Sequence, residues 1–417
     1  MALTPALLSR AARLACVANL TMACARETDP SREWSGTVDT LPGGAIVVTN
    51  PAAGTWGEGE RWTLIEELRI GSAQGTGPAS FAAVTALAVD SADRIYVLDG
   101  RARQVRLFGP DGSHIRTLGR SGAGPGELAT PFGLAIGRDG SLWIADGRNA
   151  RYTVFDSAGA FVASHPRPFN FFFLPWPGGL DSAGRIIDAA VLTEGDPRNP
   201  VYILVRLSET FQVRDTIRVP RYQQPERITL RRSDGALVMS FAAPYTPELL
   251  WTFDPRGALW SAVSERYELV EQTTTGDTVR IVRRDVPPVP VSAAEREGRT
   301  AAIDQEIASV GRGASLDRPL RIPDSKPALE TFHVATDGFL WVLPSRPAGE
   351  RQRFEVFDPE GRFLGAVQPP GEIVRSPRPV FRSDAVYGVV VDSLDVPYVV
   401  RLRIHGRTRA DRPPSGR

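Results

Sequence analysis

Short runs of alternating apolar and polar residues, separated by turn sequences, recur along much of the chain. Residues 87–89 form one such run, a turn follows at residues 91–93, and residues 95–98 read as a second strand. A third strand is predicted at residues 105–108, and a fourth begins at Ile115. Alternation with a period of two, interrupted by turn residues, predicts β-strands joined as an antiparallel meander.

The same pattern returns 47 residues later. Residues 75–115 align without a gap to residues 122–162. Four strands within about 47 residues match the size of one β-propeller blade. Identical pairs are spread over the whole match: Gly75 and Gly122, Leu87 and Leu134, Asp99 and Asp146, and Phe108 and Phe155.

The second repeat carries a recognisable order of motifs. Between Gly122 and Gly159 it reads Gly-x-Gly-Pro, then a strand, then Gly-x-Leu-Trp-Ile-Ala-Asp, and then Val-Phe-Asp-x-x-Gly. This order resembles the NHL repeat. The resemblance implies an all-β fold, a β-propeller built from four-stranded antiparallel blades.

Further units set the number of blades. Three weaker copies follow, at residues 180, 254 and 337. Two strands within residues 386–404 begin a sixth blade, and the strand at residues 62–70 can complete it and remove the exposed edge of an open propeller. The sequence therefore predicts six blades, the last closed by an N-terminal strand. Residues 45–49 are also strand-like, so seven blades remain an alternative.

One segment departs from the strand pattern. Proline-rich residues 287–290 lead into Ser292-Ala293-Ala294-Glu295, a capping box that marks the start of a helix. The helical run continues to Val310 and ends at Gly311. We predict a helical insertion at about residues 286–326, between the fourth and fifth blades, packed on one mouth or flank of the propeller.

The first 24 residues have the layout of an export signal. Arg10 and Arg13 precede an apolar run at residues 14–23, and Cys24 follows. The stretch Leu20-Thr21-Met22-Ala23-Cys24 resembles a bacterial lipobox. The resemblance implies that Cys24 becomes the lipidated first residue of a mature protein in the periplasm or on the outer membrane. The alternative is a frayed N-terminal helix on a cytosolic protein.

These features together predict the organisation of the chain. Residues 1–24 form the export signal with its lipobox, residues 25–35 a tether, and residues 36–406 a single β-propeller domain. Residues 407–417 form a disordered tail. We expect a monomer that reaches the membrane only through its lipid anchor.

Charge and motifs narrow the possible partners. Lys and Arg total 49 against 48 Asp and Glu, a formal net charge of +1, which argues against a nucleic-acid partner. The four histidines lack the spacing of metal ligands. Lys326 is the only lysine, and it lies in a proline-flanked stretch where we expect no burial.

Equivalent polar residues of the first two repeats are candidate ligands. Asp99 and Asp146 end the aromatic strand at matching places, so they could contribute to a calcium site in the channel. The favoured interpretation is that each carboxylate caps the following turn. Arg101, Arg148 and Arg151 could form a basic rim for an anionic group, although loop arginines are usually only solvated.

An aromatic stretch at residues 169–177 is the most unusual in composition. Packing between blades is the favoured interpretation, and an exposed ligand-gripping wall at the channel mouth is the alternative. On that alternative, Phe171, Phe172 and Trp176 are candidate ligand-binding residues.

The predicted function is a non-catalytic binding or scaffolding protein of the cell envelope, without a required cofactor. One propeller face would engage a protein, a peptide or a glycan. The alternative is an enzyme resembling the metal-dependent lactonases and esterases, or the strictosidine-synthase-like proteins, with its metal in the central channel.

Overall fold

The computed structural model describes residues 33–57, 59–169, 176, 179–181, 183–192, 201–219, 222, 227–254 and 256–407. Three strands precede the first repeat: β1 (Thr37–Thr40), β2 (Ile46–Asn50) and β3 (Thr63–Ile70). Blade 1 consists of β4 (Val84–Val89), β5 (Ile95–Asp99), β6 (Gln104–Phe108) and β7 (His114–Leu118). Blade 2 consists of β8 (Pro131–Ile136), β9 (Leu142–Asp146), β10 (Arg151–Phe155) and β11 (Phe161–Pro166).

The middle of the chain adds two blades, a hairpin and a segment with one helix and one short strand. Blade 3 consists of β12 (Gly179–Leu180), β13 (Ile186–Leu192), β14 (Val201–Leu207) and β15 (Val213–Ile217). A hairpin follows, formed by β16 (Ile228–Arg231) and β17 (Leu237–Phe241). Blade 4 consists of β18 (Leu249–Phe253), β19 (Leu259–Val263), β20 (Glu268–Gln272) and β21 (Thr278–Arg284). Helix α1 (Ala293–Val310) and the short strand β22 (Ser315–Leu316) come next.

The last two blades close the ring. Blade 5 consists of β23 (Leu329–Val334), β24 (Leu340–Pro344), β25 (Phe354–Phe357) and β26 (Phe363–Val367). Blade 6 consists of β27 (Val380–Phe381), β28 (Ala385–Val391), β29 (Pro397–His405) and, as its outer strand, β3. The N-terminal strand therefore completes the last blade, as the sequence predicted.

Hydrophobic packing between blades shows that the ring has six members. The described residues form six buried apolar clusters, and each cluster joins two neighbouring blades. The cluster that closes the ring joins Ile70 and Val399 of blade 6 to Leu87 and Phe108 of blade 1. Full burial of a large apolar side chain contributes about 1.5–3 kcal/mol, so each interface is a substantial source of stability. The fold is a six-bladed β-propeller.

The leftover N-terminal strand extends a blade instead of adding one. β2 pairs in parallel with β21, the outer strand of blade 4, and β1 pairs antiparallel with β2. The buried Asn50 side chain fixes this edge to blade 5, because it donates to the Gly361 carbonyl at 2.9 Å and accepts from the Phe363 amide at 2.6 Å. The seven-blade alternative is therefore wrong.

Helix α1 is the predicted insertion. The Ser292 hydroxyl accepts a hydrogen bond from the Glu295 amide, and the Glu295 carboxylate accepts one from the Ser292 amide, which completes the capping box. No residue of the helix is buried. The segment that contains α1 and β22 is joined to the hairpin before blade 4, because β22 pairs with β16. Within the described residues, no helix combines the length and apolar character needed to cross a membrane.

One face of the propeller is relevant to function. The innermost strand of each blade begins where the second strand ends, as the pairing of Val84 with Asp99 and of Leu329 with Pro344 shows. We call this end the entry face. It carries the loops that lead into each blade and those that join the second strand to the third.

Candidate functional site

The two predicted carboxylates lie at the entry face and are fully buried. Asp99 accepts hydrogen bonds from the backbone amides of Ala82 and Ala102, at 2.8 and 3.0 Å. Asp146 accepts from the amides of Ala129 and neighbouring Thr130, at 2.9 and 2.8 Å. Each carboxylate thus fastens the loop that enters its blade, so its lone pairs are used inside the fold.

The described residues at the entry face do not supply a set of ligands for calcium. The carboxylates of Asp99 and Asp146 are occupied by backbone amides, and the described residues contain no group of three or more His, Cys, Asp or Glu side chains suited to a metal ion. The described residues at this face therefore do not fit a calcium ion.

The three predicted arginines also lie at the entry face, on blades 1 and 2. Arg101 and Arg148 are exposed. Arg151 donates to the carbonyls of Gly124 and Glu127, both at 2.7 Å, and so holds the loop between the two blades. The geometry therefore gives Arg151 a structural use, and a ligand-binding role for Arg101 and Arg148 stays a prediction.

Of the remaining predicted residues, the structure describes Trp176. Trp176 is 6% exposed, and its ring centroid lies 5.4 Å from that of Tyr152 in the cluster between blades 2 and 3. Trp176 therefore packs between two blades, which was the favoured interpretation of the aromatic stretch. Phe171, Phe172 and Cys24 lie outside the described residues.

A cleft of about 710 Å³ opens on the entry face, over blades 4, 5 and 6. Its walls come from residues within 244–248 before β18, the first turns of α1, residues within 326–330, the β24–β25 loop at 345–351, and the loop before β27. We call it the α1 cleft. None of the ligand-binding or metal candidates predicted from the sequence and described in the structure lines it.

Charges of both signs line the α1 cleft in equal number. Five glutamates and five basic residues contribute to its wall: Glu248, Glu295, Glu330, Glu350, Glu372, Arg299, Lys326, Arg346, Arg351 and Arg375. The cleft as a whole carries no excess of either charge. Single-sign ligands are therefore not favoured by its overall field.

Lys326 connects the helix to the floor of the cleft. Its side chain is only 8% exposed, and its ammonium donates to Glu295 at 2.5 Å and to the Arg346 carbonyl at 2.7 Å. Burial alone raises the pKa of Glu295, but the hydrogen bonds from Lys326 and Ser292 outweigh it and lower that pKa. The expectation that Lys326 is not buried is wrong, because two loops and the helix meet over it.

Glu330 is a partly buried acid of the cleft. Its carboxylate lies 3.4 Å from the guanidinium of Arg346, which also contacts Glu372 at 2.7 Å. Burial raises the pKa of Glu330, and the positive charges of Arg346 and Arg375 oppose this only in part. The carboxyl group is thus closer to taking up a proton than an exposed glutamate.

The aromatic side chain of the cleft is already covered. The guanidinium carbon of Arg299 lies 5.6 Å from the ring centroid of Tyr245, and the Lys326 ammonium lies 5.7 Å from it. Both distances fall in the range of cation–π contacts. Tyr245 is therefore engaged by protein cations rather than presented as a bare platform.

Comparisons with known proteins give structural likeness only. No family model matches the chain, and no curated protein matches it. An exported protein from Bacteroides fragilis is 9% identical with a TM-score of 0.49, over 86% of this chain and 99% of that one. Virginiamycin B lyase from Staphylococcus aureus is 14% identical with a TM-score of 0.42, over 82% and 99%.

A gluconolactonase from Xanthomonas campestris is also similar, at 14% identity and a TM-score of 0.38, over 77% of this chain and 88% of that one. At such identities and TM-scores these likenesses assign no activity to this chain.

Proposed function

We propose that this protein is an exported, NHL-repeat-type β-propeller that binds a short peptide segment in the α1 cleft without catalysis. The observation that carries the proposal is the cleft itself, about 710 Å³ in volume and lined by five acidic and five basic residues. Concave sites that bury most of a ligand and present a few fixed polar groups are typical binding sites.

The paired charges favour a ligand that carries both signs. Arg346 contacts Glu330 and Glu372, and Lys326 contacts Glu295, so a ligand must open or extend existing ion pairs. A ligand with one charge leaves the opposite member of an opened pair without a partner, which is costly in an enclosed site. A peptide with an acidic and a basic group can satisfy both members.

Tyr245 argues for a peptide over a glycan. Sugar rings commonly stack on exposed aromatic faces, and in this cleft Arg299 and Lys326 already lie over the Tyr245 ring. Hydrogen bonds and ion pairs are the interactions that remain available, and peptides supply both.

The proposal extends to the location of the protein. The sequence supports export and lipidation of Cys24, through the basic residues, the apolar run and the lipobox-like stretch. Labelling of cells with a radioactive fatty acid tests this point. We expect label on the wild-type protein and none on the Cys24→Ala variant, and a wild-type protein without label contradicts lipidation.

Binding can be tested with four fluorescent hexapeptides of matched length. One contains an acidic and a basic residue, one only the acid, one only the base, and one neither. We expect fluorescence polarisation to show at least tenfold tighter binding of the first peptide. Arg299→Glu, which changes the cleft wall, should weaken it tenfold, and Arg138→Glu, on an exposed turn at the opposite face, should not. Equal binding of all four peptides, or an unchanged affinity in Arg299→Glu, refutes the proposal.

A hydrolase acting on lactones or esters is the second candidate, and the environment of Glu330 favours it. A glutamate whose pKa is raised by burial is suited to general acid–base catalysis. If the protein is such an enzyme, hydrolysis of a chromogenic ester should fall at least a hundredfold in Glu330→Gln. Absence of hydrolysis by the wild-type protein removes this candidate.

A further inference from the structure

Arg378 of blade 6 contacts the innermost strand of blade 4 near the centre of the propeller. It lies two residues before β27, the innermost strand of blade 6, and its guanidinium carbon is 5.5 Å from the ring centroid of Trp251. Trp251 belongs to β18 of blade 4 and packs against the cluster shared with blade 3. Blades 4 and 6 are separated by blade 5, so the Arg378 side chain joins the innermost strands of two blades that are not neighbours.

The guanidinium of Arg378 lacks a counter-charge. Among the described residues, neither an ion pair nor a hydrogen bond is formed by this side chain, and its contact with Trp251 is a cation–π contact. The side chain is half-buried, and burial lowers the pKa of Arg378. Enclosed charges in proteins are normally paired, because desolvation is expensive.

A second polar group near Arg378 is also unsatisfied. The Nε2 atom of His333, on β23, is buried and has no hydrogen-bond partner among the described residues. Burial, with a contribution from the positive charge of Arg378, lowers the pKa of His333 to about 3. The imidazole is therefore neutral at pH 7, and it can donate one N–H.

The α1 cleft leads toward this part of the channel. Glu248 and Arg375 lie 3.9 Å apart in the wall of the cleft. Trp251 and Arg378 follow three residues later on the same two segments, and three residues of chain reach at most about 11 Å. A ligand in the cleft can thus extend inward to the guanidinium.

We propose that Arg378 binds a carboxylate group that enters the channel from the α1 cleft. The guanidinium presents a planar fork of donors that matches a carboxylate. One unpaired positive charge is balanced by a monoanion, whereas a phosphate dianion leaves a negative charge enclosed. The aromatic ring of Trp251 offers an apolar surface to the carbon skeleton behind the carboxylate.

Two sources share this chemistry: a small organic acid, or the C-terminus of the peptide proposed above. Only the second source depends on the proposed function. Acetate is the probe for the first, and a pair of hexapeptides that end in a free acid or in an amide is the probe for the second.

Fluorine NMR of protein labelled with 5-fluorotryptophan gives a direct readout at the site. The Trp251 resonance is assigned by its absence from Trp251→Phe. Titration with sodium acetate, against sodium chloride at equal ionic strength, should shift this resonance with saturation. The shift should be absent in Arg378→Gln and retained in the exposed control Arg138→Gln.

Thermal melting separates the site from general loss of folding. In buffer free of carboxylates, Arg378→Gln should melt no lower than wild type, because an unpaired enclosed cation has been removed, and acetate should raise the melting temperature of wild type alone. A non-saturable acetate response, or a response that persists in Arg378→Gln, overturns the proposal. If acetate binds and the acid and amide peptides bind equally, the carboxylate site stands and its ligand is a free organic acid.

Discussion

Loss of stability in mild acid should be traceable to His333. This imidazole is 9% exposed, stacks on Phe381 with ring centroids 4.6 Å apart, and has a pKa lowered to about 3 in the folded protein. An unfolded histidine has a pKa of about 6.5. The unfolded state therefore binds a proton at pH 5 and the folded state does not, so stability falls as the pH decreases from about 6.5 toward 3.

The size of the effect follows from the two pKa values. At pH 5 the unfolded imidazole is almost fully protonated, and this stabilises the unfolded state by about 2 kcal/mol relative to pH 7.5. Replacement by phenylalanine keeps a flat ring against Phe381 and removes the titrating group. His333→Phe should lose about 2 kcal/mol less stability than wild type between these two pH values.

Urea unfolding at pH 7.5 and pH 5, followed by far-UV circular dichroism, measures the difference. Other titrating groups are common to both proteins, so their contributions cancel in the comparison. His405→Gln is the matched control, because His405 is exposed at the end of β29. The reasoning is refuted if wild type and His333→Phe lose the same stability on acidification.

Three further changes test the packing of the fold and the cleft. Asp188→Ala should lower the free energy of unfolding, measured in urea, by about 3–5 kcal/mol, because it removes the carboxylate that pairs with the fully buried Arg167 guanidinium. Arg167→Met in the same chain should recover most of this loss, and a loss below about 1 kcal/mol contradicts the argument. Lys326→Met should speed hydrogen exchange in helix α1 while changing global stability by less than about 1 kcal/mol, and unchanged exchange counts against the anchoring role. Trp62→Ala, in the cluster that joins blades 5 and 6, should cost about 3–5 kcal/mol, and a normal melting temperature is inconsistent with its packing role.

Local signals in the sequence were sufficient for the blades and the helix. The strands of blades 1 and 2 lie where alternation and turn residues predicted them, because both signals act within a few residues. Helix α1 starts after Ser292 and ends before Gly311, where the capping box and the glycine indicated. The parallel pairing of β2 with β21 joins segments more than 200 residues apart, and alternation alone does not identify a partner strand.

The site was harder to predict because it depends on loops from three blades. Glu248, Glu330 and Arg375 are distant in sequence, and they meet only because each lies at the entrance to an innermost strand. The sequence repeat instead indicated a candidate site at Asp99 and Asp146, which are equivalent in blades 1 and 2. Their carboxylates accept hydrogen bonds from the loops that enter these blades. The α1 cleft is lined in part by helix α1, an insertion that has no counterpart in the other blades as far as the structure describes them.

Closure of the ring by β3 also imposes an order on biosynthesis. This strand leaves the ribosome early, and its partner β29 is made roughly 330 residues later. At about 5–20 residues per second, the delay is tens of seconds. Until then β3 has no partner, and the cluster between blades 6 and 1 lacks Val399. A nascent chain of this protein therefore carries β3 unpaired through most of translation, and loss of its final strand leaves the ring open however well the earlier blades have folded.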